Sequence, residues 1–244
     1  MKKMFMAVIA MMMTISASAQ FYIYCSNGNV IKVDSISMIA PNTGATGSEN
    51  GYEYVDLGLS VKWATCNVGA SNPEEYGDYF AWGETEPKST YDGSTYKYCN
   101  GSLSSLTKYC TNSSYGTVDN KTTLDLSDDA ARANWGGSWR MPTDAELTEL
   151  REQCTWTWTT QNGVYGYKVT SKKSGYTNKS IFLPAAGYRG GSSLNLAGSI
   201  GNCWSSSLST GYPKSAWYVY FGSDGVRRYD HTREYGLSVR PVCQ

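Results

Sequence analysis

Residues 142–154 read PTDAELTELREQC, and this segment starts the best-defined helix of the 244-residue chain. Thr143 and Glu146 have the T-x-x-E spacing of a capping box, in which each side chain accepts a hydrogen bond from the backbone N–H of the other residue. Leu147, Leu150 and Cys154 recur on one face. The segment therefore predicts an amphipathic helix that begins after Thr143.

A second helix and a series of strands surround this one. Ser127 is predicted to cap a short helix over residues 128–133, which Gly136 and Gly137 end. Apolar runs between turns predict strands at residues 54–57, 61–66, 79–82, 165–170, 181–183, 203–206, 216–221 and 237–242. Residues 84–120 are polar and tyrosine-rich, and the pattern leaves open whether they are a ligand-facing excursion or contain elements that it does not reveal. The whole indicates an α+β fold.

The N-terminal residues have the order of a secretory signal. Lys2 and Lys3 precede an apolar run, and small residues at 17–19 allow cleavage before Gln20. We therefore expect residues 1–19 to be a signal peptide. The mature protein is expected to be exported, to the cell surface, the extracellular space or the periplasm, without an integral membrane segment.

The exported part is predicted to have two portions. Residues 20–50 are expected to form an N-terminal β-hairpin, turning at Asn27-Gly28, and a linker without apolar periodicity from Pro41 to Gly51. Residues 51–244 are expected to form the main domain. Its predicted core includes four tryptophans in strand-like segments, Trp63, Trp82, Trp139 and Trp204.

Charge and histidine content exclude several functions. The 21 Lys and Arg residues balance 21 Asp and Glu residues, so the chain has no overall positive field, and we expect no nucleic-acid partner. His231 is the single histidine, which excludes a multi-histidine metal centre. We therefore expect a protein that is not an enzyme and holds no cofactor.

Seven cysteines are compatible with an exported, disulfide-containing protein. An odd number leaves at least one unpaired, and the spacing does not reveal which cysteines pair. Cys99 and Cys110 bracket a short polar segment that a disulfide would close. The seven are Cys25, Cys66, Cys99, Cys110, Cys154, Cys203 and Cys243.

Six segments of the main domain together have the pattern of a known family. They are YVDLGLSVKWA (54–64), GDYFAWGE (77–84), WRMPT (139–143), FLPAAGYR (182–189), WSSS (204–207) and SVRPV (238–242). On these segments the chain resembles the Fibrobacter succinogenes major paralogous domain (FISUMP) family, which consists of secreted or surface proteins of Bacteroidetes-type bacteria. The resemblance covers nearly all of residues 52–243.

This family is in turn similar to the C-type lectin-like fold of the formylglycine-generating, sulfatase-modifying enzymes and of proteins diversified by retroelements. The resemblance implies two helices, a twisted antiparallel sheet in which the N- and C-terminal strands pair, and a ligand surface in the C-terminal half. In the retroelement targets, positions of that surface are the ones that diversify.

The resemblance also raises two metal-dependent alternatives. An oxidase of the formylglycine-generating type needs closely spaced cysteines for copper, whereas this chain has only Cys203 and Cys243 near its end. C-type lectins bind calcium through a Trp-Asn-Asp triplet, and the corresponding residues 204–206 lack its oxygens. A structural calcium is the one cofactor left open; its candidate ligands are Asp125, Asp128 and Asp129, which helix capping also explains in part.

The last quarter of the chain is rich in Tyr, Trp, Ser, Gly and Asn, a composition typical of protein-binding surfaces. Alternation in residues 216–221 predicts that Trp217, Val219 and Phe221 face inward while Tyr218 and Tyr220 face outward. The remaining contact residues are expected on adjacent loops. The predicted ligand-binding residues are Tyr218, Tyr220, Tyr229, Arg227, Asp224, Asn202, Asp230 and His231.

These observations predict an exported, non-catalytic, adhesin-like protein that binds a surface protein or a glycan. The alternative is a calcium-independent carbohydrate-binding module in which Tyr218, Tyr229 or Trp217 stacks on sugar rings. An oxidase of the formylglycine-generating type is a second, less favoured alternative.

Overall fold

The structure is a computed structural model in which residues 46–244 are described, together with the backbone of residues 21–24 and 30–33. The chain divides into two compact units, residues 1–41 and residues 42–244. In the first unit, strands β1 (Phe21–Tyr24) and β2 (Val30–Val33) pair antiparallel. The two strands of the predicted hairpin are therefore present, while its Asn27-Gly28 turn and the predicted signal peptide lie outside the described residues.

The first sheet of the second unit joins the start of this unit to the end of the chain. Its strands are β3 (Gly47–Glu49), β4 (Tyr52–Val55), β5 (Lys62–Ala64) and β14 (Val242–Cys243), in the order β14-β5-β4-β3. Asn50 and Gly51 both have positive φ and form the turn between β3 and β4. Part of the predicted linker is thus a strand, which corrects the linker prediction for residues 47–49.

Two predicted strands are reduced to single pairings. Residues 79–82 and most of residues 237–242 form no strand, and Phe80 pairs with Leu237 as an isolated bridge. The apolar pattern was a sign of burial here, because Phe80 is 1% and Leu237 0% exposed. An apolar run that is buried on all sides does not reveal by itself whether a long ladder is formed.

The two α-helices of the described residues are α1 (Ala130–Trp135) and α2 (Asp144–Gln153). The capping box of Thr143 and Glu146 is formed as predicted. The predicted cap of the other helix is wrong: Asp129 caps α1 through the N–H of Arg132, and Ser127 lies in a preceding 3₁₀ turn, Leu126–Asp128. Cys154, predicted on the face of α2, begins the next strand instead.

Three further antiparallel sheets follow. Strands β6 (Cys154–Gln161), β7 (Val164–Ser171) and β8 (Ser180–Pro184) form one sheet, and β9 (Tyr188–Gly190) with β10 (Ser193–Asn195) forms a hairpin. Strands β11 (Ile200–Leu208), β12 (Ser215–Gly222) and β13 (Gly225–Thr232) form the last sheet, in that order. β6 and β13 are not among the predicted strands.

The core consists of two clusters of buried side chains. Trp82, Trp139 and Trp204 lie in the first cluster and Trp63 in the second, each at most 1% exposed, as predicted. The irregular segment 84–120, which contains a 3₁₀ turn at Ser113–Tyr115, supplies much of the first cluster. Its buried residues include Tyr91, Tyr96, Tyr98, Leu106 and Tyr109. These tyrosines build the core instead of facing a ligand.

The six cysteines from Cys66 onward are buried and free in the structure. The loop-closing bridge between Cys99 and Cys110 is not formed, and the two thiols donate to carbonyl oxygens of Gly93 and Asn112. Burial raises the pKa of Cys154, Cys203 and Cys243 to about 11. These groups therefore remain thiols at neutral pH.

The architecture of residues 46–244 is rich in antiparallel sheet and contains two short α-helices, an α+β arrangement. Within this range neither helix is long and apolar enough to cross a membrane.

Candidate ligand-binding surface

Strands β12 and β13 bring most of the predicted ligand-binding residues onto one face. Directly opposite residues of an antiparallel pair share a face, and the register places Tyr218 opposite Tyr229 and Ala216 opposite His231. Tyr220 lies opposite Arg227. The sequence predicted loops for residues 227–231, but these residues form strand β13.

Six ring side chains form a continuous patch on this face, which we call the aromatic tract. Tyr229 contacts Tyr220 and Tyr218 with ring centroids 6.0 and 6.4 Å apart, and His231 continues the series at 5.9 Å from Tyr218. Beyond it, Tyr235 lies 4.2 Å from His231 and Tyr188 lies 6.1 Å from it. The members are Tyr188, Tyr218, Tyr220, Tyr229, His231 and Tyr235.

The tract is partly open to solvent. Tyr229 is 47% exposed, and the side chains of Tyr188, Tyr220, His231 and Tyr235 are half-buried. Tyr188 enters from the β9–β10 hairpin, where Gly190 leaves room for Tyr235: a Cβ at Gly190 would lie 2.8 Å from the Tyr235 ring. The tract is thus assembled from two hairpins and the segment after β13.

The hydroxyls of most buried tyrosines differ from those of the tract, because five of the six buried tyrosines outside the tract donate to internal acceptors. In the core, the hydroxyl of Tyr96 donates to Trp82 O at 2.7 Å and that of Tyr167 donates to Gly222 O at 3.0 Å. Tyr79, Tyr91 and Tyr109 likewise donate to buried acceptors. In contrast, none of the five tract tyrosines has a hydroxyl hydrogen bond to any described residue. The hydroxyls of the four tract tyrosines that are open to solvent, Tyr188, Tyr220, Tyr229 and Tyr235, are available to a ligand, both as donors and as acceptors.

One end of the tract carries a charged pair at the turn of the β12–β13 hairpin. Arg227 Nη1 lies 2.8 Å from Asp224 Oδ2. The Arg227 side chain is 40% and the Asp224 side chain 61% exposed, so solvent screens the pair and it contributes little to stability. Its groups lie beside Tyr220, the residue opposite Arg227, and add charge recognition to an otherwise neutral surface.

The tract itself is uncharged at neutral pH. Burial lowers the pKa of His231 below its ordinary value, against the opposing effect of Asp230, so its imidazole is neutral. Burial, followed by the neighbouring tyrosines, raises the pKa of Tyr218 to about 12. The surface therefore offers aromatic area and hydroxyl groups with charge confined to its end.

Three predicted ligand-binding residues lie elsewhere than expected. Tyr218 is 8% exposed because it packs against Trp204 of the first core cluster, which contradicts its predicted outward position. Asn202 is 3% exposed, and its amide donates to Gly187 O. Asp230 is exposed but lies opposite Trp217, on the other face of the sheet. The remaining five, Tyr220, Tyr229, Arg227, Asp224 and His231, are at the tract or its end.

The opposite face of β12 and β13 is held to helix α2. The Arg228 guanidinium lies 3.3 Å from the centroid of the Trp217 ring and binds both carboxylate oxygens of Asp144 at 2.7 and 2.8 Å. Trp217 is half-buried, contrary to its predicted inward position. Its ring is covered by this arginine and not by a core cluster. The ring face that Arg228 covers is not available to a sugar.

The candidate metal ligands have protein partners. Asp125 Oδ2 lies 2.6 Å from both Lys108 Nζ and Lys121 Nζ, and Asp128 accepts from Lys108 and from the Tyr109 hydroxyl. These bonds lower the pKa of Asp128 to about 2 although burial opposes the shift. Asp129 caps α1 and also accepts from the N–H of Met141. The described residues contain no group of three or more His, Cys, Asp and Glu arranged to hold a metal.

The two cysteines considered for copper belong to different parts of the core. Cys203 lies in the second cluster and Cys243 in the first. Both are at most 3% exposed.

Two members of the tract, Tyr188 and Tyr235, are missing from the sequence prediction. Tyr188 follows Gly187 and Tyr235 precedes Gly236, and such Tyr-Gly neighbours near turns are a weak signal for exposed aromatic contacts. Their contact with His231 depends on the pairing of Arg189 with Gly236, two positions far apart in sequence.

No protein-family model, curated protein or solved structure matches this chain.

Proposed function

We propose that this chain is an exported, non-catalytic binding protein and that its ligand contacts the aromatic tract. The observation that carries the proposal is a contrast among tyrosine hydroxyls: five of the six buried tyrosines outside the tract donate to internal acceptors, whereas no tract hydroxyl bonds to a described residue. Tyrosine gives a large contact area at low entropic cost together with a hydrogen-bonding group. A surface with four partly exposed rings of this kind around Tyr218 is suited to recognition.

The shape of the tract favours a protein surface as the ligand. A sugar-binding platform would expose coplanar rings, whereas a protein-binding surface presents one broad patch of mixed orientation. The planes of Tyr220 and Tyr229 are inclined by 64°, and those of Tyr218 and Tyr229 by 41°. The tract, with the charged pair Asp224–Arg227 at its end, is a mixed patch.

The resemblance to the FISUMP family and to the C-type lectin-like fold supports the same proposal. It implies two helices, pairing of strands from the N- and C-terminal parts of the domain, and a ligand surface in the C-terminal half. The main unit has two helices, β14 pairs with β5, and the tract lies within residues 188–235. We propose this fold family for residues 46–244 on that agreement, with an adhesin-like role at the bacterial surface.

Binding assays on tract variants test the proposal. Tyr220→Ala with Tyr229→Ala removes the two most accessible hydroxyl-bearing rings of β12 and β13 without touching Tyr218. Tyr212→Ala is the matched control, because Tyr212 is 62% exposed and lies outside the tract. In pull-downs from host and bacterial surface extracts, we expect proteins captured by the wild type and by the Tyr212 variant to be lost with the double variant. Capture that survives in the double variant would refute the role of the tract.

Carbohydrate binding is the second candidate function, and one observation outside the tract favours it. Tyr165, in the β6–β7 hairpin, is 52% exposed, and its ring stacks on that of Trp158 with planes inclined by 9° and centroids 6.1 Å apart, so it presents an exposed, supported aromatic ring suited to stacking on a sugar. A glycan array read with the wild type and Tyr165→Ala, with and without a calcium chelator, tests this candidate. Glycan signals that resist chelation and disappear with Tyr165→Ala would favour it over protein binding.

A further inference from the structure

The outer edge of β13 is a feature that the proposed function does not use. β13 pairs with β12 on one side and is the last strand of its sheet. Edge strands present unpaired backbone groups, and proteins usually shorten, bulge or cover such strands because they pair with other chains. β13 has eight residues in continuous register with β12, and every side chain is exposed or half-buried.

The hairpin turn determines which backbone groups face the free edge. Gly222 and Gly225 pair across a connection of two residues, so they form the hydrogen-bonded pair that closes the hairpin. Hydrogen-bonded and non-hydrogen-bonded pairs alternate along an antiparallel ladder. Tyr229, four positions from Gly225, therefore points its N–H and C=O toward β12. The residues whose backbone groups point outward are Val226, Arg228, Asp230 and Thr232, and the Thr232 carbonyl already accepts from Tyr235 N at 3.3 Å.

The outward residues have charges that complement a second copy of the same strand. In a two-fold antiparallel pairing with Tyr229 on the axis, Arg228 lies opposite Asp230 of the second copy, and the symmetry forms this pair twice. Two neighbouring registers also keep the outward groups paired. One is centred on residue 228 and places Arg228 opposite its own copy, and the other is centred on residue 230 and places Asp230 opposite its own copy. Like charges directly opposite each other are unfavourable, so the charge pattern selects one register.

The side chains are placed to form these pairs. Arg228 uses Nε and Nη2 for Asp144, and its Nη1 has no hydrogen bond to any described residue. Asp230 is exposed on the same face. Tyr229, 47% exposed, would lie opposite its own copy in a non-hydrogen-bonded pair, the kind in which side chains approach most closely.

We propose that this chain forms a two-fold symmetric homodimer through antiparallel pairing of its β13 strands, centred on Tyr229. The two three-stranded sheets join into one sheet of six strands. The two aromatic tracts become neighbours on one face, while the ion pairs lie on the other face. The proposal goes beyond the proposed function. The dimer axis shares Tyr229 with the tract, but the charge pairs that select the register are formed by Arg228 and Asp230, which are not part of the tract.

Sedimentation velocity of the mature protein over a range of concentrations tests the dimer. The wild type should show a concentration-dependent dimer. Asp230→Arg places an arginine opposite Arg228 at two symmetric positions. Each repulsive pair should raise the dimer dissociation constant about tenfold, so we expect self-association to weaken about 100-fold. Glu86→Arg is the matched control, because it makes the same charge change at an exposed residue away from β13. A monomeric wild type, or equal association of Asp230→Arg, would overturn the proposal.

Cysteine cross-linking tests the register. Paired Cα atoms in a non-hydrogen-bonded pair are about 4.5 Å apart, which is within disulfide range. Under mild oxidation Tyr229→Cys should give a covalent dimer, whereas Arg227→Cys should not, because residue 227 lies opposite residue 231 of the second copy. The wild type reports any contribution of the buried cysteines. Equal cross-linking of the 227 and 229 variants would refute the register. Ligand binding by the monomeric Asp230→Arg variant would show that ligand binding does not require the dimer.

Discussion

Removing a single tyrosine hydroxyl should lower the stability of the protein when the tyrosine lies in the core, but not when it lies in the tract. Tyr96 is 3% exposed, and its hydroxyl is the donor for the buried carbonyl of Trp82 at 2.7 Å. Tyr96→Phe keeps the ring but leaves that carbonyl without its partner. The loss of such a bond with an acceptor left buried costs about 1–2 kcal/mol. For a domain of this size, the change corresponds to a fall in Tm of about 2–8 °C.

The matched variants in the tract should behave differently. The hydroxyls of Tyr220 and Tyr229 have no partner among residues 46–244, so removing them leaves no protein group unsatisfied. We expect Tyr220→Phe and Tyr229→Phe to change the free energy of unfolding by less than about 0.5 kcal/mol, the range usual for exposed positions.

Urea unfolding followed by tryptophan fluorescence measures all three variants under one condition. We expect the wild type and the two tract variants to unfold at the same urea concentration. Tyr96→Phe should have a lower midpoint with an unchanged slope of the unfolding free energy against urea. If Tyr229→Phe were as destabilising as Tyr96→Phe, the tract hydroxyls would be contributing to the fold. The argument that they are reserved for a ligand would then fail.

Two further predictions concern the helix and the histidine. Thr143→Ala removes the cap of α2 and should lower stability by about 1 kcal/mol, whereas Thr143→Ser should retain the wild-type Tm in calorimetry; equal losses in both variants would contradict the capping role. Burial lowers the pKa of His231 in the folded state below the unfolded value near 6.5. Between these two pKa values the unfolded chain binds more protons than the folded protein. The free energy of unfolding therefore falls as the pH is lowered through this range. His231→Phe should reduce this fall in urea titrations between pH 7.5 and 5.5, and an unchanged pH dependence would show that His231 is not its source.

Local capping signals predict α2 but not the start of α1. The partners of the capping box are Thr143 and Glu146, three residues apart, so the sequence alone contains the whole interaction. Ser127 and Asp129 are both good cap residues. Asp129 is the one used, and its carboxylate also accepts from Met141 N, a contact that a local pattern does not contain.

Composition predicts the region of the proposed ligand surface, but it does not predict the exposure of each residue. Alternation along β12 places Tyr218 and Val219 on opposite faces, yet both are buried because the sheet contacts the first core cluster on one face and the second on the other. Strand β13 lacks an apolar face and therefore has no strand signal of that kind. Asp224-Gly225, a turn pair after an apolar strand, was the available sign of the hairpin.

The pairing of β5 with β14 has a consequence for how the main unit folds. Arg240, fully buried, donates to the carbonyls of Ala64 and Thr65, 176 and 175 residues away in sequence. Ala64 N also donates to Pro241 O. Contacts of such large sequence separation must close a long loop before they stabilise anything, and topologies rich in them fold slowly. During synthesis the segment around Ala64 can pair with Tyr54 of β4 early, but almost the entire domain must emerge before its bonds to Arg240 and Pro241 can form.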